Sequence, residues 1–146
     1  MAAAYVVHRH GTGRTHFDLR FVCEDVLRGW SLLREPPLRP GQSRLAIERE
    51  SFRPDAIHAG LFSEEAFGCG KVWTWDSGEV AVTRVGQSEF VLEFSGRRLQ
   101  GVYRLSRTRW YPGNRWILRK LPGAKSRAAV KPAEESLDRK SPSIRT

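Results

Sequence analysis

The chain has 146 residues, 40% of them hydrophobic and 10% aromatic, with a formal net charge of +9 and a sequence pI near 10.4. That length supports one domain with a real core and excludes two of ordinary size. The charge, most of it arginine, favours polyanionic partners that exchange counterions for guanidinium contacts, and no basic amphipathic helix points to a membrane surface instead.

The chain opens on Met1-Ala2-Ala3-Ala4, which lacks the basic start and apolar stretch of a secretory leader, so a cytoplasmic location is expected. Tyr5 to His10 reads as the first strand, Gly11-Thr12-Gly13 as a turn, and Thr15 to Cys23 as the second strand. Alternation places His16, Asp18 and Arg20 on one face of that strand and Phe17, Leu19 and Phe21 on the other. The hairpin brings His10 beside His16, so two imidazoles and a carboxylate come within reach of one divalent ion, with a guanidinium next to them. His8, two residues before His10 on the same face, is a further candidate ligand or phosphate contact. A solvated strand face is the competing interpretation, although such faces more often use Lys, Glu, Thr and Ser.

Further short strands follow at Val26 to Leu33, Arg44 to Glu50, Lys71 to Trp75, Val80 to Val85, Phe90 to Phe94, Leu99 to Leu105 and Arg115 to Leu121. Pro36, Pro37 and Pro40 mark a loop from Arg34 to Ser43, and Asp76-Ser77-Gly78 reads as a hairpin turn. One helical turn is expected around Ser63 to Phe67. The fold class is all-β, a small antiparallel barrel or closed sandwich over residues 1–122 that hides strand edges by closure. Residues 123–146 have no aromatic side chain and read as a disordered basic tail. Cys23 and Cys69 form no C-x-x-C pair and are expected to be reduced, buried small hydrophobes. Trp30, Trp73, Trp75, Trp110 and Trp116 could stack bases, although strand tryptophans usually belong to a core. Trp110-Tyr111-Pro112-Gly113, read as a loop, is the best stacking candidate.

The segment Val6-Val7-His8-Arg9-His10 through Thr15-His16-Phe17-Asp18-Leu19-Arg20 resembles the Q-K-H…L-H-Y-D-L-R signature of the 3′-phosphoesterase domain of bacterial DNA ligase D, which also occurs as a stand-alone protein. His8 replaces the glutamine and Thr15 the leucine. The similarity continues through Trp30-Ser31-Leu32-Leu33-Arg34 and Arg44-Leu45-Ala46-Ile47-Glu48, with later landmarks at Phe67-Gly68-Cys69-Gly70, Trp75-Asp76-Ser77-Gly78, Leu99-Gln100-Gly101 and Trp116-Ile117-Leu118-Arg119-Lys120.

The resemblance implies a β-barrel enzyme that uses Mn²⁺, or another divalent ion such as Zn²⁺ or Co²⁺, to remove 3′-terminal phosphates or ribonucleotides. It implies His10, His16 and Asp18 as metal ligands, Arg20 as a phosphate-binding arginine, and Arg34 and Arg44 as further basic functional residues. The partners it implies are DNA or RNA-containing DNA 3′ ends, with a DNA ligase, polymerase or end-binding protein of break repair. The family's catalytic histidine, in an E-D-H-P segment, and a following tyrosine correspond here to Phe52 and Ala56 within Glu50-Ser51-Phe52-Arg53-Pro54-Asp55-Ala56. His58 and His8 are the candidate substitutes. The competing expectation is a degenerate domain that binds nucleic-acid ends or repair partners without turnover. An iron oxygenase triad fits less well, because such sites usually take one histidine from a distant strand, whereas these three ligands lie within nine residues.

Overall fold

Phe17, Leu19 and Phe21 are all buried, and their parity decides which side of the second strand faces inward. In the computed structural model, residues 2–11, 14–58 and 72–122 are described. They form β1 (Ala2–His10), β2 (His16–Cys23), β3 (Val26–Leu32), β4 (Ser43–Phe52), a 3₁₀ turn (Pro54–His58), β5 (Val72–Arg84), β6 (Glu89–Gly96), β7 (Gln100–Arg107) and β8 (Arg115–Lys120). The strands close into an antiparallel barrel in the order β1-β2-β3-β4-β8-β7-β6-β5, with β5 returning to β1. Closure gives every strand a partner on each side, although β4 beyond Ile47 and β5 before Gly78 are paired by a strand on one side only.

The barrel interior is packed with rings. Trp30 lies 5.2 Å from Phe21, 5.3 Å from Trp116 and 6.0 Å from Phe90, mostly edge to face. Tyr5, Phe94 and Tyr103 extend this core toward the other end. The Arg28 guanidinium lies over Trp30, Phe90 and Trp116 and pairs with Glu48 at 2.5 Å, and Glu48 also accepts the Trp116 indole hydrogen at 3.1 Å. Three of the five tryptophans, Trp30, Trp75 and Trp116, are thus core residues, while Trp73 and Trp110 are exposed.

Two sequence expectations need correction. Lys71 to Trp75 and Val80 to Val85 are not separate strands, and Asp76-Ser77-Gly78 is not a hairpin turn: β5 runs through all three residues without a break. A bulge opposite Val7 and His8 causes the misreading, since Val7 pairs with Asp76 and His8 with Thr74, which leaves Trp75 as the extra residue. Trp75 and Asp76 are therefore both buried. Inside, Asp76 accepts hydrogen bonds from the Tyr5 hydroxyl at 2.6 Å and from the backbone N–H groups of Leu99 at 2.9 Å and Arg97 at 3.1 Å. A residue type that usually signals a turn here anchors the turn between β6 and β7.

The hairpin between β1 and β2 pairs His10 with His16, His8 with Asp18 and Val6 with Arg20, as the alternation predicts. Between β2 and β3 the turn is only Glu24-Asp25, both with positive φ, at 54° and 62°. Cys23 is a free, half-buried thiol packed against the core. Cys69, the expected helical turn at Ser63 to Phe67 and the tail from residue 123 lie outside the described residues, as do Thr12 and Gly13. Among the described residues, no helix is long and apolar enough to cross a membrane.

Candidate metal centre

Directly opposed residues of an antiparallel pair share a face, so the register of β1 and β2 fixes the outer surface beside the core. His8, His10, His16, Asp18 and Arg20 stand together on it, and Ser31 of β3 joins them opposite Asp18. His10, Asp18 and Arg20 are nonetheless buried, with Ser31 beside them.

Asp18 is the hub. Its Oδ2 lies 2.8 Å from His10 Nε2 and 3.8 Å from His16 Nε2, while Oδ1 accepts the Ser31 hydroxyl at 2.6 Å. The two imidazoles stack nearly parallel, 4.4 Å between centroids at 9°. One ligand atom from each of His10, His16 and Asp18 falls within 4.8 Å of the others. Atoms sharing a divalent ion at about 2.0–2.2 Å stand roughly 3 Å apart, so His10 and Asp18 already have that spacing, while His16, 3.8 Å from Asp18, must move inward for the three to hold one small ion. Nitrogen donors with a single carboxylate suit first-row transition metals better than Mg²⁺ or Ca²⁺.

The electrostatics favour the ligating forms of His16 and Asp18. Burial lowers the His16 pKa, against the pull of Asp18. Burial, with His10 and Arg20 nearby, pushes His8 down to about 4, which leaves it a neutral imidazole near pH 7. Burial works to raise Asp18, but hydrogen bonds from His10 and Ser31 and the charge of Arg20 outweigh it and hold the carboxyl below its ordinary range. A contact between His8 and phosphate would consequently rest on hydrogen bonding and not on charge.

An open cleft of about 420 Å³ lies over this face, lined by His16, Asp18, Arg20, Ser31, Glu48, Arg49, Glu50 and Phe52. Arg20 reaches it by crossing β3 at Gly29: a Cβ there would collide with Arg20 Nη1 and stand 3.2 Å from its Cγ. Its guanidinium lies over the Phe52 ring, 5.3 Å from the centroid. Arg49 donates from Nε to Ser31 Oγ at 3.0 Å and so adds a second guanidinium to the cleft.

The structure thus brings together His8, His10, His16, Asp18 and Arg20. Arg34 and Arg44 stand apart from the cleft lining: Arg34 is exposed after β3, and Arg44 bonds the carbonyls of Glu35 at 2.7 Å and Ser43 at 3.0 Å. Phe52 lines the cleft, whereas Ala56 packs with Leu27 in a small apolar cluster. His58 ends the 3₁₀ turn, and its side chain lies outside the described residues. Sequence reasoning missed Ser31, Arg49 and the role of Gly29. A glycine inside the strand Val26–Leu32 was an available signal of close approach, whereas Ser31 and Arg49 required the registers of β3 and β4.

A family model described as the DNA Ligase D 3′-phosphoesterase domain matches residues 8–107. The chain belongs to that family. The multifunctional non-homologous end joining DNA repair protein LigD of Mycobacterium tuberculosis (strain ATCC 25618 / H37Rv) is 30% identical over 126 residues, covering 83% of this chain and 16% of that protein. The multifunctional non-homologous end joining protein LigD of Pseudomonas aeruginosa is 30% identical over 131 residues, covering 85% of this chain and 16% of that protein. The chain therefore spans about a sixth of the length of the curated relatives it matches.

Proposed function

We propose that this protein is a divalent-metal-dependent 3′-phosphoesterase that clears 3′-phosphate or 3′-ribonucleotide ends of DNA during end joining. The observation that carries the proposal is the convergence of His10, His16 and Asp18 within 4.8 Å in a cleft that also presents Arg20. Family membership and relatives named for end joining give the chemistry its setting. A bound ion such as Mn²⁺, Zn²⁺ or Co²⁺ would supply Lewis-acid charge for a phosphoryl oxygen and a water of lowered pKa.

The chain's own residues do the rest. Ser31 fixes one Asp18 oxygen, so the other is aimed at the two imidazoles. Arg20 offers a planar fork that orients two phosphoryl oxygens, and Arg49 adds charge from the opposite strand. Preorganised cations of this kind stabilise charge that grows as the ester bond breaks.

One feature favours a second reading, in which the domain binds ends or repair partners without turnover. Phe52, which has no proton to transfer, lines the cleft under Arg20. Release of phosphate from a 3′-phosphorylated primer-template, with and without Mn²⁺, separates the two. The expected result is metal-dependent release, lost in His10→Ala, His16→Ala and Asp18→Ala. No release with any divalent ion, from folded protein that still binds DNA, would establish the second reading.

A further inference from the structure

We propose that Trp110 and Tyr111, at the tip of the β7–β8 loop, form a stacking platform for unpaired nucleotides of the strand whose 3′ end enters the metal-centre cleft. This rests on the function proposed for that cleft and specifies the form of its substrate. Trp110 is 58% exposed and Tyr111 94%, whereas Trp30 and Trp116 are at most 1% exposed. Two adjacent large rings left in water forfeit the burial that the other aromatic residues obtain.

The tip is held in place by its own hydrogen bonds. The Thr108 N–H and hydroxyl both donate to the Arg115 carbonyl, at 2.8 and 2.9 Å, and the Trp110 N–H donates to Thr108 Oγ1 at 3.1 Å. The Gly113 N–H donates to the Trp110 carbonyl at 2.9 Å, and Gly113 adopts a φ of 105°, which favours glycine. Arg107 Nε closes the loop on the Gly113 carbonyl at 2.9 Å. Rings on a fixed loop lose little entropy when a base stacks on them.

Charge selects the occupant. From Arg107 to Lys120 the chain has Arg107, Arg109, Arg115, Arg119 and Lys120 and no Asp or Glu. Aromatic rings set among arginines suit a polyanion with flat faces, namely single-stranded nucleic acid. Position ties this platform to the cleft: the Glu48 N–H donates to the Asn114 carbonyl at 2.8 Å, and Glu48 and Arg49 line the cleft. Bases paired within a duplex have no free face, so the platform acts on overhangs and frayed ends.

The test is fluorescence anisotropy in metal-free buffer, using the full chain, a labelled oligodeoxythymidylate of about ten nucleotides and an abasic strand of equal length. The protein should bind the thymidine strand about tenfold or more tighter than the abasic strand. The double substitution Trp110→Ala/Tyr111→Ala should erase that preference while leaving abasic binding and the far-ultraviolet circular dichroism unchanged, and Trp110→Phe/Tyr111→Phe should retain it. Equal binding of both strands by the unmodified protein, or a preference that survives the double alanine change, overturns the proposal. Since the readout is binding without turnover, its failure leaves the phosphate-release result standing, and the reverse also holds.

Discussion

Gly29 determines where Arg20 lies. With no side chain, it leaves a lane across β3 through which the arginine reaches the cleft, and a Cβ would collide with Arg20 Nη1. Gly29→Ala should push the guanidinium off the position proposed to meet phosphate and lower phosphate release by about tenfold or more, since losing one preorganised donor commonly costs 10²-fold or more. Mn²⁺ affinity should change much less than turnover, because the atoms nearest an added Cβ all belong to Arg20. Equal loss of metal binding and turnover would contradict this role. His8 gives a second residue-scale expectation. Its folded pKa of about 4 lies below the ordinary 6.5, so between those values the unfolded chain holds a proton that the folded chain does not. Stability should therefore fall as pH drops from about 6.5 toward 4. In urea titrations His8→Gln should flatten that fall, with His16, also lowered by burial, preserving part of the slope. An unchanged slope in His8→Gln would refute the half-buried neutral imidazole.

At the scale of single elements, the hairpin of β1 and β2 was legible because two patterns coincide: chemistry-bearing residues at one parity and Phe17, Leu19 and Phe21 at the other. Strand β5 was not, because Asp76-Ser77-Gly78 has turn composition and composition does not reveal a bulge. The bulge makes Asp76 a buried anchor. Burial alone would raise its pKa, but hydrogen bonds from Tyr5 and from the backbone N–H groups of Leu99 and Arg97 outweigh that effect and hold it low. Asp76→Ala would strand the Tyr5 hydroxyl and two backbone donors and should cost about 3 kcal/mol. Chemical denaturation measures this, and a loss under about 1 kcal/mol would show that water replaces the carboxylate. Gly96 belongs to the same anchor, since a Cβ there would meet the Tyr5 hydroxyl and the Asp76 carboxylate.

For the whole molecule, the barrel was readable from short strands with turn residues between them and no helical periodicity, although strand order came only with the structure. The site was half legible. His10, His16, Asp18 and Arg20 lie within one hairpin, where local spacing fixes geometry. Ser31, Arg49 and Phe52 join them from β3 and β4, whose registers depend on barrel closure and a shift between Leu27 and Gly29. Arg34 and Arg44 were read from resemblance alone, and closure places them away from the cleft lining. The closed barrel explains how buried polar residues hold position on an outer face: the packed interior fixes the strands, and the strands fix the side chains. The most direct measurement is a calorimetric titration of Mn²⁺ into the unmodified protein, Asp18→Ala and Ser31→Ala. One ion should bind per chain, with no binding to Asp18→Ala and about tenfold weaker binding to Ser31→Ala, whose hydroxyl orients the carboxylate. Mn²⁺ binding by Asp18→Ala with undiminished affinity would contradict the shared site formed by His10, His16 and Asp18.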